Sequence, residues 1–236
     1  NFLNHEETDR FVFYKNLDEN KDQSYALWGL PQEQLSRSIF PLGQFTKPAI
    51  REMAREYGLL RVADKKDSYE ICFIPDNDYR GFLKRRNPEG IAAIGKGKFK
   101  LSNQKVVGEH EGYPFYTIGQ RRGLNIALGE PIYVTRIDAQ TNTVYLGPKE
   151  ELLQKALTAR EVNFVKYANL HEERAVSAKI RYKDEGAPAL VWQTGEDEIR
   201  VVFAENRSAI TPGQSVVLYE GADVVAGAWI RQAQTV

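Results

Sequence analysis

Ile132-Tyr-Val-Thr-Arg-Ile-Asp138 and Thr143-Val-Tyr-Leu-Gly147, joined by Ala139-Gln-Thr-Asn142, decide the fold class of this 236-residue chain. Both runs are rich in β-branched and aromatic residues, and the four between them are turn-forming and polar, so the segment reads as strand, turn and strand. Working downstream, similar short runs recur at Val176–Tyr182, Ala189–Gln193, Ile199–Phe203, Ser215–Tyr219 and Val224–Ile230. Their spacing of roughly 8–12 residues favours a compact antiparallel barrel. Working upstream, the pattern changes near Pro88 and the first third reads as helical. Thr46 is placed to cap a helix with Pro48 in its first turn, Ile50, Met53, Ala54 and Tyr57 on one face, and Gly58 as its stop. Shorter helices are expected across Gln23–Gly29 and Gln32–Ile39, and another from the acidic start Asp76-Asn-Asp-Tyr-Arg-Gly-Phe-Leu83. The fold class is therefore α+β. Its expected segments are a helical part over residues 1–75, a central β-rich part over 76–130, and a C-terminal antiparallel β-barrel over 131–236.

Composition narrows the function. A single cysteine, Cys72, excludes an internal disulfide and any zinc ribbon or finger. His5, His110 and His171 are widely separated and form no metal-ligand pattern, so no metal is expected. No apolar run approaches the roughly 20 residues of a membrane span, and the N-terminus has neither a basic leader nor an apolar signal core. A cytoplasmic protein with no membrane partner is expected. The chain does not begin with methionine, which suggests a piece of something longer. The 32 basic and 32 acidic side chains cancel overall but not locally. Residues 76–130 carry 10 basic and 6 acidic side chains, and the segments on either side are slightly acidic. Within the basic segment, Lys84-Arg85-Arg86, Lys96, Lys98, Lys100 and the pair Arg121-Arg122 are suited to phosphate, although a solvated surface produces the same letters.

Two stretches carry candidate chemistry. Cys72 lies in Lys65-Lys-Asp-Ser-Tyr-Glu-Ile-Cys-Phe-Ile-Pro75. Its apolar neighbours Ile71, Phe73 and Ile74 fit a buried core thiol in a short strand, whereas the two upstream lysines favour the reactive thiolate. The second stretch is Gly108-Glu-His-Glu-Gly112 through Gly119-Gln-Arg-Arg-Gly-Leu124, whose glycines permit close backbone approach and whose arginines suit an anion. No Walker-type phosphate loop and no dinucleotide fingerprint occurs.

With Asn20-Lys-Asp-Gln-Ser-Tyr25, Lys66-Asp-Ser-Tyr-Glu-Ile-Cys-Phe-Ile74 and Thr211-Pro-Gly-Gln-Ser215, these stretches fall in the order found in one family. Over essentially its whole length the chain resembles the C-terminal two-thirds of bacterial tRNA-specific 2-thiouridylases, which thiolate the wobble uridine of certain tRNAs. The resemblance implies that the helical part is the end of a truncated α/β ATP-pyrophosphatase domain. The pyrophosphatase loop, which binds ATP with Mg and adenylates the uridine, would lie upstream of Asn1, so no cofactor-binding residue is expected here. The resemblance also implies that Cys72 carries a persulfide whose sulfur attacks uridine C2, a second cysteine upstream resolving it. Lys21, Asp22 and Gln23, and Arg181, Tyr182 and Gln214, match tRNA-contacting positions of the family, the Arg-Tyr pair lying in a strand of its last domain. An Arg for phosphate, an aromatic for stacking and amides for sugar or base edges suit a splayed anticodon loop. Arg121 and Arg122 join the expected tRNA-binding set. The implied partners are tRNA with a wobble uridine and a sulfur-carrier protein, with the enzyme acting as a monomer. Tyr69 and Glu70 depart from the family, which has a glycine before the Ile-Cys pair and a small or polar residue before that. Two rival readings are a non-catalytic tRNA-binding module, with Cys72 a core residue, and a thiol-based redox protein lacking its resolving cysteine.

Overall fold

In the computed structural model, which describes residues 3–5, 9–65, 74, 76 and 78–234, the chain opens with a two-stranded antiparallel ribbon, β1 (Leu3–His5) and β2 (Arg10–Val12). The expected helices follow in shortened form. Helices α1 (Ser24–Leu27) and α2 (Gln32–Leu35) are single turns separated by Gly29, Leu30 and Pro31, with Pro31 in the extended cap of α2. Helix α3 (Lys47–Glu56) starts where Thr46 Oγ1 accepts the Ala49 N–H at 3.4 Å and stops before Gly58, whose φ is +74°. A last turn, α4 (Leu60–Ala63), follows. Among the described residues α3 buries no side chain, and Tyr57 and Val62 are well exposed.

Residues 66–153 form one compact unit, and residues 1–65 with 154–236 form the other. In the first of these, Asp78 caps α5 (Tyr79–Arg86) by accepting the Gly81 N–H at 2.8 Å. Asn87 in the same way caps α6 (Pro88–Ile94), accepting from Gly90 at 3.1 Å. No helix was expected at α6, although Asn87-Pro88-Glu89 has the cap, fixed φ and acidic first turn that start one. The sheet contains β3 (Gly97–Leu101), β4 (Val106–His110), β5 (Tyr133–Asp138) and β6 (Thr143–Gly147) in the order β4-β3-β6-β5. Strands β5 and β6 form the expected hairpin, with Asn142 at φ +47° in its turn. They were expected within the 131–236 barrel segment. Instead β6 runs parallel to β3, from Lys98 opposite Thr143 to Leu101 opposite Leu146. The reason is burial: Val134, Val144 and Leu146 share one core with Phe99, Leu124 and Ile132.

The remaining strands are β7 (Leu153–Phe164), β8 (Arg174–Lys179), β9 (Ala187–Gly195), β10 (Glu198–Ser208), β11 (Ser215–Glu220) and β12 (Asp223–Gln234). They close into a six-stranded barrel in the order β10-β7-β12-β11-β8-β9. Alternate residues such as Val176, Ala178, Ala189, Val191, Ile199, Val201, Val216 and Leu218 fill it. The α+β class and the terminal antiparallel barrel are thus both present. Strand β11 is buried on both sides. Its outward residues Val217 and Tyr219 form a second core with Phe13, Trp28, Leu35, Val165 and Val224, so the N-terminal segment is clamped onto the barrel wall.

Trp28 locks that clamp. Its Nε1 donates to Ser215 Oγ at 2.9 Å, and Asn163 Nδ2 donates to the Trp28 and Leu30 carbonyls at 2.6 and 2.9 Å. The Trp28 side chain lies on Gly227, where an added Cβ would fall 2.5–2.6 Å from three of its atoms. Gly227→Ala is therefore expected to lower stability by about 1–3 kcal/mol through forced displacement of the ring. Urea unfolding followed by tryptophan fluorescence checks this, and an unchanged midpoint would refute it.

Candidate RNA-contacting face

The segment leading into α1 is built around a buried carboxylate. Asp22 Oδ1 accepts the N–H groups of Asn16 and Ser24 at 3.1 and 3.0 Å, and Oδ2 accepts the Ser24 hydroxyl at 2.7 Å. Ser24 Oγ in turn lies 3.1 Å from the hydroxyl of Tyr219, whose ring is fully buried. Burial pushes the Tyr219 phenol well above its usual range, so it stays protonated. The neighbouring 3₁₀ turn, Glu19–Lys21, is held at its start by Asp18, which accepts from Asn20 at 3.2 Å and from Lys47 at 2.9 Å. With Asp22 turned inward, Gln23 is left on the surface.

The exposed Gln23 amide Nε2 donates to Tyr182 Oη at 2.8 Å, across 159 residues of sequence. Arg181 and Tyr182 do not lie in a strand, as the resemblance implied, but in the turn that follows β8. The turn is fixed by Asp184, whose carboxylate accepts the N–H groups of Ile180 and Gly186, both at 3.1 Å, and pairs with Arg207. Burial alone would raise the Asp184 carboxyl, but the backbone donors and the Arg207 guanidinium outweigh it and hold it below the usual range. Arg181 Nη2 reaches the Ser208 carbonyl at 3.4 Å, leaving its side chain exposed.

Tyr25 lies edge-on to Tyr182, with ring centroids 6.4 Å apart. Its hydroxyl donates to the Ser215 carbonyl at 2.8 Å, and burial pushes the phenol up to about 12. Gln214 immediately precedes Ser215 and is held by its backbone, donating to Thr211 and accepting from Ile230. Lys21, Gln23, Arg181, Tyr182 and Gln214 are thereby fixed in one unit of the structure through Asp22, Tyr25 and Asp184. Tyr25 was not singled out from sequence, because in Ser24-Tyr-Ala-Leu27 it reads as an ordinary helical aromatic. Lys21 also lines a cavity of about 290 Å³ with Lys15, Phe13, Leu27, Phe40 and Leu42.

Arg121 and Arg122 belong to the unit of residues 66–153 and are exposed on the loop leading to β5. That loop is fixed by Gly119 N–H to Val134 carbonyl at 2.8 Å and by the Gln120 amide to the Arg122 carbonyl at 2.9 Å. No carboxylate lies within ion-pair distance of either guanidinium among the described residues, whereas Lys84 and Arg85 of the same unit are paired with Glu111 and Asp76. Cys72 lies outside the described residues, as do Tyr69 and Glu70. Among the described residues no group of His, Cys, Asp and Glu could hold a metal ion, and no helix is long and apolar enough to cross a membrane.

Three family models match consecutive segments: the tRNA methyl transferase HUP domain over residues 2–76, the tRNA methyl transferase PRC-barrel domain over 81–148, and the aminomethyltransferase beta-barrel domain over 154–230. The tRNA-specific 2-thiouridylase MnmA of Salinibacter ruber is 62% identical over 227 residues, covering 96% of this chain. The proteins of the same name from Cytophaga hutchinsonii and Amoebophilus asiaticus are 52% and 51% identical over 96% and 95% of it. The chain belongs to the tRNA-specific 2-thiouridylase family. It spans 59–62% of the length of these three relatives. For this family member, the matched HUP, PRC-barrel and beta-barrel segments correspond to the N-terminal helical part, the four-stranded sheet with its helices, and the closed barrel.

Proposed function

We propose that this chain is the tRNA-holding and sulfur-donating part of a tRNA 2-thiouridylase. The observation that carries this reading is the Gln23–Tyr182 hydrogen bond, which joins two distant segments into one surface of amide, aromatic and cationic side chains. Such a surface suits unstacked nucleotides, the aromatic offering a stacking face, the amides reading sugar or base edges, and Lys21 and Arg181 meeting phosphate. Asp22 and Tyr25 act as positioning residues behind it. Cys72 is the proposed sulfur carrier. The terminal sulfur of its persulfide attacks C2 of an activated wobble uridine, and the bond from C2 to the activated oxygen breaks. A second thiolate then attacks the Cys72 sulfur; the S–S bond breaks with its electrons passing to the sulfur on C2, and a disulfide forms for an external thiol to reduce. Activation with ATP is assigned to no residue of this chain. A cytoplasmic monomer supplied by a sulfur-carrier protein completes the reading.

The test is to splice residues 1–236 into the Salinibacter ruber relative in place of its matching segment, and to measure 2-thiouridine in tRNA by mass spectrometry in cells lacking their own enzyme. Restored thiolation is expected. A chimera that is folded and binds tRNA but leaves it unthiolated would favour the non-catalytic binding module.

Arg121 and Arg122 are proposed to meet tRNA backbone phosphate. Changing both to glutamine is expected to weaken tRNA binding and to reduce the slope of log K against log salt by about 1.4–1.8, since each phosphate contact contributes about 0.7–0.9. Fluorescence anisotropy across a KCl series checks this, and an unchanged slope returns the pair to ordinary surface.

A further inference from the structure

Two lysines outside the expected set share one buried ring. Lys15 Nζ stands 4.5 Å and Lys179 Nζ 5.6 Å from the centroid of Tyr219. Both are placed by backbone. Lys15 donates its N–H to the Ala222 carbonyl at 2.9 Å, at the tip of the β11–β12 hairpin. Lys179 lies opposite Val217 in the β8–β11 ladder, on the same face as Tyr219 opposite Ser177. They flank the proposed RNA face directly, since Asn16, next to Lys15, donates to Asp22, and Arg181 and Tyr182 begin two residues after Lys179.

Three other cations of this unit are ion-paired. Lys166 lies 3.1 Å from Glu220 and 2.9 Å from Asp223, Arg174 lies 3.8 Å from Glu220, and Arg207 is paired with Asp184. Among the described residues neither Lys15 nor Lys179 has a carboxylate within 4.0 Å. The groups that face them offset their charge only in part: the Tyr219 phenol is held protonated, and Asp22 and Glu19 favour the Lys15 charge through space without forming an ion pair with it. Lys15 is half-buried, and desolvation first, then the Lys179 charge, lowers its pKa. Like charges gathered about one ring, with Lys15 partly desolvated, are costly in the free protein, and a polyanion relieves that cost.

We propose that Lys15 and Lys179 form a phosphate-binding site over Tyr219 whose ligand is the tRNA backbone beside the Gln23–Tyr182 pair. The ligand assignment rests on the tRNA-binding reading above; the anion site rests on the lysine geometry alone. Cation–π contact with the ring keeps both ammonium groups at fixed points while leaving their N–H donors for phosphate oxygens.

The experiment uses the 236-residue chain with two readouts. In the first, tRNA affinity is measured across a KCl series for the wild type, the Lys15→Gln/Lys179→Gln double variant and the Lys15→Arg/Lys179→Arg double variant. The glutamine variant is expected to lose about 1.4–1.8 from the salt slope, and the arginine variant to keep it. In the second, the lysine side-chain nitrogens are followed by NMR during titration with inorganic pyrophosphate. Lys15 and Lys179 are expected to shift at lower concentrations than the carboxylate-paired Lys166. If tRNA binds and the glutamine variant keeps the full slope, the phosphate site is overturned while the tRNA reading stands. If the wild type fails to bind tRNA but both lysines respond to pyrophosphate, the tRNA reading falls and the anion site survives. Pyrophosphate shifts no greater than those of Lys166 overturn the anion site itself.

Discussion

Cys72→Ser in the chimeric enzyme is expected to abolish 2-thiouridine formation, with a loss of at least about a thousand-fold and no change in tRNA affinity. The argument is chemical. A thiolate can hold a second sulfur as a persulfide and later leave it, whereas a serine oxygen forms no corresponding bond and stays protonated at neutral pH. Cys72→Ala is expected to behave the same way, because the missing property is the sulfur and not a hydrogen bond. Mass spectrometry of digested tRNA, normalised to tRNA bound, measures the outcome. The Lys65-Lys66 pair upstream and the apolar Ile71, Phe73 and Ile74 around Cys72 fit a thiolate shielded from bulk oxidants. They fit a core residue equally well, so the mutation separates the two readings. A serine variant that retains thiolation would make Cys72 structural and send the search for the sulfur carrier elsewhere.

Much of the barrel was legible because its strands alternate strictly. Ile199, Val201 and Phe203 face in while Arg200 and Val202 do not, and a period of two can be read from letters alone. Strand β7 was not legible. Its ladder with β12 shifts register between Gly227 and Trp229 and again between Ile230 and Gln232, and Glu161 has a φ of +56°. Each irregularity breaks the alternation that would have marked the strand. The β5–β6 hairpin was legible, but its sheet was not, because the parallel partner β3 lies more than 40 residues upstream of β6 and local pattern says nothing about it. The same distinction governs the site. Gln23 and Tyr182 were individually suspect as members of family-like stretches, yet no spacing rule links positions 159 residues apart. Lys15 and Lys179 carried no signal at all, since an isolated lysine in a loop or strand reads as surface. Their shared ring and missing counter-ions exist only once the N-terminal segment lies against the barrel.

Asp22, within the proposed RNA-facing stretch, is expected to act without touching RNA, and its substitution should have the largest effect on stability. Asp22→Ala strands the Asn16 and Ser24 N–H groups in a site that is 8% exposed and leaves the Ser24 hydroxyl only its Tyr219 partner. Unsatisfied buried donors cost about 1–3 kcal/mol each, partly relieved by local shifts, so a loss of roughly 3–4 kcal/mol is expected in urea unfolding. Because the same carboxylate holds the backbone on both sides of Gln23, the alanine variant should also bind tRNA less well. Asp22→Asn separates position from contact. Its amide oxygen still accepts the two backbone N–H groups and its NH₂ can donate to Ser24 Oγ, so stability and tRNA affinity should both stay near wild type. If Asp22 met RNA directly as a charged acceptor, the asparagine variant would remain stable but change its affinity. A stable asparagine variant with unaltered affinity beside a destabilised alanine variant is the result required of a positioning residue, and it would leave Lys21, Gln23, Arg181, Tyr182 and Gln214 as the groups that face the ligand.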